Sequence, residues 1–147
     1  MTSTERRLSD PREGLIRRAF RVGKQRMIID QLTGAPRAPA AAFEPRQKDE
    51  ALSVNLESSL LASGLPLTWR VDLSRQYAAR ITVGDCFANN LEAFHNPLPE
   101  NPPEPENPHH GLIRGLVEMR EKRSINPDTY ERAITALAKA STIVAET

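Results

Sequence analysis

One cysteine, Cys86, is all that the 147 residues contain. An internal disulfide is therefore excluded, and so is a metal cage built from cysteines alone. The chain also lacks the basic-then-apolar opening of a secretory signal, any apolar run long enough to cross a bilayer, and any lipidation signature. The expectation is a cytoplasmic protein with no membrane role. Aromatics are scarce, at one Trp, two Tyr and four Phe, and hydrophobic residues make up 39% of the chain, so the predicted core is modest and aliphatic. No His-x-x-x-His, Cys-x-x-Cys or Gly-rich phosphate loop occurs, which leaves no predicted metal site and no predicted cofactor.

What is present is one domain's worth of chain with twelve prolines, a high share that enlarges the loops. Residues 1–12 are polar and lack a periodic apolar set, and they read as a flexible tail ahead of a single domain at 13–147. Leu15, Ile16, Ala19 and Phe20 fall at helical spacing, yet Gly23 interrupts and Met27-Ile28-Ile29 suits a short buried strand, so 15–29 is open between helix and strand. Leu52, Val54 and Leu56 alternate with Ser53 and Asn55, the period of a core strand over 51–55. The charged turn before it suggests a hairpin back to Phe43.

Beyond that strand, Asn55 is placed to cap a short helix through Glu57, Leu60 and Leu61, with Gly64 as its stop. Alternation predicts strands at Trp69, Val71 and Leu73 and at Ala79, Ile81 and Val83, then a bend at Gly84-Asp85 and a strand over 91–94. Six of the twelve residues from Pro97 to Pro108 are proline, which predicts an exposed, extended loop. The chain returns to the core at 112–117 as a strand or a buried turn. Asn126-Pro127 opens a helix over 127–145, with Tyr130, Ile134, Leu137, Ser141 and Val144 as its stripe. This order of elements predicts an α+β domain, a small and largely antiparallel sheet with the C-terminal amphipathic helix packed on it.

Charge is close to balanced, at +1, but unevenly spread. Arg12, Arg17, Arg18, Arg21, Lys24 and Arg26 crowd one segment, while Glu92, Glu100, Glu104 and Glu106 occupy another with no Lys or Arg between them. Such clusters serve as solvated faces, attract each other, or meet a partner. Of the residue types able to act as acid, base or ligand, Lys48, Asp49, His95, His109 and His110 stand out, without matching a specific motif. The plain alternative for His109 and His110 is a loop-to-strand junction in which one imidazole hydrogen-bonds a backbone carbonyl. For Cys86 it is a small buried hydrophobe.

Phe43-Glu44-Pro45-Arg46, Lys48-Asp49, Leu52-Ser53-Val54, and Asn107-Pro108-His109 with Gly111 and Ile113 resemble a group of small uncharacterised bacterial proteins. That group pairs an F-x-P-x-x-x-D, L-S-V hairpin with a later N-P-x-H segment. The resemblance covers about half the chain and implies a bacterial, cytosolic origin but no established activity. The leading expectation is a small binding or accessory protein whose partner is another protein. The second is an enzyme with His109, Asp49 and Lys48 brought together from the 48–49 turn and the 107–110 segment. A third is nucleic-acid contact through Arg17, Arg18, Arg21, Lys24 and Arg26.

Overall fold

Leu15, Arg17 and Ala19 share one face of an extended segment, and Ile16, Arg18 and Phe20 share the other, a period that fits a strand buried on both sides. In the computed structural model, which describes residues 5–145, this segment is β2 (Gly14–Phe20), the hub of the sheet. It pairs antiparallel along its whole length with β6 (Gln76–Thr82) and on its other side with β5 (Leu52–Leu56). The helical spacing of 15, 16 and 19 arises because two apolar layers each take their residues from this one strand, Leu15 and Ala19 on one side and Ile16 on the other, while Phe20 is exposed.

With β1 (Arg6–Arg7), β7 (Glu92–His95), β8 (His110–Arg114) and β9 (Thr142–Ile143), the main sheet has seven strands. Their order is β1-β7-β8-β5-β2-β6-β9, with every pairing antiparallel. A separate ribbon joins β3 (Ile28–Ile29) to β4 (Pro36–Arg37). The α+β architecture is as expected.

One face of the sheet is covered by α4 (Pro127–Ala140), α2 (Val83–Phe87) and a 3-10 turn at Ala40–Phe43. The other carries α1 (Glu57–Ala62) and the irregular segment 63–75, whose Leu65, Leu67, Trp69 and Val71 pack on Ile16, Leu60 and Ala78. A further helix, α3 (Leu116–Glu121), follows β8 directly.

Several expectations are corrected. The 1–12 tail includes β1 and a buried Leu8, because main-chain pairing with β7 is indifferent to polar side chains and Arg114 grips Glu5 through two 2.8 Å bonds. Residues 1–4 of that segment lie outside the described residues. Phe43 is buried in a 3-10 turn instead of a hairpin strand. In the stretch left open between helix and strand, Ile28 and Ile29 do form a strand, but their side chains are exposed rather than buried. Trp69, Val71 and Leu73 sit in successive turns, with Arg70 at φ 60°, a left-handed conformation no strand accommodates. The Gly84-Asp85 bend is the first turn of α2, where Thr82 and Asp85 form a reciprocal capping box. Helix α1 begins after Leu56, so Asn55 is not its cap.

The C-terminal helix stops at Ser141 rather than 145. The buried Ser141 hydroxyl donates to the Ala138 carbonyl and accepts from the Ala38 amide, turning the chain out to pair as β9 with β6. Val144 then packs on the opposite face of the sheet. The Pro-rich stretch is exposed as expected but is not an extended strand: bridges Leu98↔Asn107 and Asn101↔Glu104 close it into a hairpin, with a cis Pro102-Pro103 bond at its turn.

Leu137 lies at the centre of the α4 stripe and is fully buried. Leu137→Ala is expected to lower the unfolding free energy by about 2–5 kcal/mol in chemical denaturation.

Candidate functional site

Antiparallel pairing fixes which loops meet. Because β7 and β5 run one way and β8 and β2 the other, the β7–β8 connection and the β5–α1 junction share one end of the sheet, the upper end here. The turn before β5 and the exit of β2 share the lower end. All three histidines of the chain, His95, His109 and His110, gather at the neck of the Pro-rich hairpin at the upper end.

Their roles differ. His110 Nδ1 meets the Asn96 carbonyl at 2.9 Å and His95 Nε2 meets the Pro108 carbonyl at 2.7 Å, so each ring acts as a donor to the backbone. His109 Nδ1 is instead 2.7 Å from Ser59 Oγ, on the first turns of α1. Trp69 packs edge-on against the His109 ring, with centroids 4.9 Å apart and planes at 87°. Arg70 stacks 4.0 Å over Trp69 and donates to the Glu106 carbonyl.

Below the ring, Asn107 donates to Asn55 Oδ1 and accepts from the His109 amide, and the His109 carbonyl accepts from the Leu56 amide at 2.8 Å. Burial holds the His109 imidazole below its ordinary pKa, with Arg70 and then His95 adding to the effect. Burial also lowers His110, partly offset by its bond to Asn96. Both rings are therefore neutral at pH 7.

Lys48 and Asp49 lie at the other end of β5. The five residues of β5 separate them from His109, a rise of about 16 Å. Asp49 accepts two bonds from Arg46, which hold its carboxyl below the usual range, while Lys48 is exposed. The fold thus does not bring His109 and the Lys48-Asp49 turn together. Sequence reasoning missed Ser59, Trp69 and Arg70, the side chains that do surround His109, because Ser59 precedes its partner by 50 residues and no motif links them.

The Ser59–His109 pair can pass a proton between hydroxyl and imidazole, but His109 is only 4% accessible, with Trp69 packed against its ring. Two shallow surface concavities, of ≈ 410 and ≈ 340 Å³, lie elsewhere, along the outer side of α4 and between residues 66–68 and 142–145. Cys86 is buried and its thiol is pushed up to about 12, which leaves no thiolate for chemistry. Among the described residues no cluster of three or more His, Cys, Asp or Glu side chains is disposed to hold a metal ion.

The basic segment is largely committed to the fold. Arg17 donates to the Ala42 and Ser53 carbonyls, at 2.8 and 3.0 Å, and burial lowers its pKa to about 10. Arg18 donates to the Arg70 carbonyl and Arg21 to that of Leu73, which ties the 63–75 segment down. Lys24 and Arg26 remain exposed, Lys24 with Glu44 at 3.7 Å.

Two measurements check these assignments. Arg17→Leu, which strands two carbonyls, is expected to cost about 1–3 kcal/mol in urea unfolding, and Arg26→Ala about 0.5 kcal/mol or less. The neutral histidines set a pH dependence. Their folded pKa values are lowered, so the unfolded chain binds more protons just below 6.5, and stability is full above that value and lost as pH falls through the lowered values. The unfolding midpoint should drop between about pH 7 and about pH 5, and His110→Gln should flatten that drop relative to its own value at neutral pH.

Compared with known proteins, the chain matches no family model, no curated protein and no solved structure.

Proposed function

We propose that this chain is a small binding or accessory protein that contacts another protein through the arm formed by residues 20–37. The observation that carries this reading is the concentration of exposed apolar side chains on an ordered arm. Phe20, Val22, Ile28, Ile29 and Leu32 are five of the nine large hydrophobic residues exposed among the described residues, and Leu32 at the arm's tip is 94% accessible. Scattered exposed leucines are ordinary on a protein surface; a run of this density marks a contact site.

The arm is also pre-organised. Asp30 accepts from the Leu32 and Thr33 amides and from Arg37 Nε, its carbonyl accepts from Gly34, and its amide donates to the Ala35 carbonyl. At the root, Tyr77 donates to the Gln25 carbonyl at 2.6 Å. A surface already held in its bound shape loses little entropy on docking, which favours affinity. No comparable support exists for catalysis, since the predicted acid and base are far apart and the Ser59–His109 pair that does form has its imidazole buried.

A photo-crosslinking residue at position 32, in the chain expressed in its native host, is expected to give a discrete protein adduct that Ile29→Asp abolishes. Adduct yield no greater than that of the same probe at Lys139, on the outer side of α4, would overturn the reading.

A further inference from the structure

The arm has a chemical counterpart elsewhere on the same surface. Residues 20–37 carry Arg21, Lys24, Arg26 and Arg37 against the single acid Asp30. The Pro-rich hairpin at 97–107 carries Glu100, Glu104 and Glu106 with no base, and its exposed prolines and Leu98, 41% accessible, give it an apolar side as well. With Asp30 and Arg37 paired to each other, the exposed charges of the arm are the basic Lys24 and Arg26, and those of the hairpin are acidic.

They cannot satisfy each other within one molecule. The hairpin leaves the sheet at the upper end, from β7 and β8. The arm leaves at the lower end, where β2 finishes, and its return strand leads to Ala38, which is bonded to Ser141 beside the opposite edge strand β9. Resting on the arm as a docking surface, we propose that its occupant is the acidic hairpin of a second copy of this chain, in an antiparallel pair that makes the arm–hairpin contact twice.

Reversing the long axis of one copy sets each arm against the other's hairpin, which is the self-complementary arrangement of a two-fold dimer. The size of the segments favours this closure. A stable interface takes roughly 20–30 residues from each partner; one arm alone falls short of that, and an arm plus a hairpin reaches it. Leu32 and Ile29 supply the apolar anchors, and Lys24 and Arg26 face Glu100 and Glu104. The charged rim makes the association sensitive to salt.

Sedimentation equilibrium across micromolar to millimolar protein tests the pair. The apparent mass is expected to approach twice that of the chain at low salt and to fall toward one as salt rises. Leu32→Asp alone, and Glu100→Lys with Glu104→Lys, should each weaken association by at least about tenfold. All these side chains are exposed, so unfolding midpoints unchanged from the parent chain verify that both variants fold. An equimolar mixture of the two variants restores one intact contact and should regain part of the lost association. A parent chain that stays monomeric, a mass rising beyond twice the chain, or a dimer indifferent to both variants each overturns the proposal. A position-32 adduct to a different protein would then leave the arm a docking surface with another occupant, whereas the absence of any adduct would sink both readings.

Discussion

Backbone carbonyls in irregular segments must find donors, and in this fold arginine guanidiniums supply many of them. Arg17, in the middle of the central strand, reaches the carbonyls of Ala42 and Ser53 and so fixes the 3-10 turn that brings Phe43 into the core beside β5. Arg18 and Arg21 hold segment 63–75, Arg70 continues to the base of the Pro-rich hairpin, and Arg120 reaches the carbonyls of Pro45 and Arg46 before the β5 turn. A chain with many prolines and long connections cannot satisfy its backbone through ladders alone. The guanidinium, planar and rich in donors, bonds two carbonyls at once where an ammonium offers a point charge. No buried polar side-chain atom among the described residues is left without a partner.

This use of arginine explains why the charge pattern was legible and its meaning was not. A run of basic residues in a sequence looks the same whether the heads face phosphate or bend back onto carbonyls. The difference depends on which loops lie beside the strand, a tertiary fact. Arg17 and Arg26 belong to one cluster by composition, yet the first is a structural tie and the second faces solvent.

The regular elements were readable where one periodicity acted alone. Strand β5, strand β6 and the start of α4 at Pro127 follow from alternation, from a helical stripe and from first-turn proline. Periodicity misleads where one strand serves two layers, as β2 does through Leu15 and Ile16, or where a side chain cuts a pattern short, as Ser141 does at the end of α4. Trp69, Val71 and Leu73 alternate as a strand would, but turns let the same side chains pack without a ladder. At the candidate site the N-P-x-H segment was recognisable, and Asn107 does organise it by joining Asn55 to the His109 amide. That Ser59 rather than Asp49 meets His109 follows from the direction of β5, which a pairing register reveals and a motif does not.

Apolar surface is left unburied where polar groups do not close over it. Around His109, hydroxyl, imidazole, indole and guanidinium engage one another in sequence and leave little for an incoming group. At the arm the logic reverses. The Asp30 carboxylate takes two amides and a guanidinium in a paired site where both side chains are 15% accessible, and the result is to hold Leu32 out in water. Ordering a turn costs conformational entropy, and exposing a leucine forgoes about 1.5–3 kcal/mol of burial. A turn selected only for the stability of the isolated chain would carry a polar residue at that tip. On the docking reading proposed above, burial of Leu32 against a partner would recover that free energy.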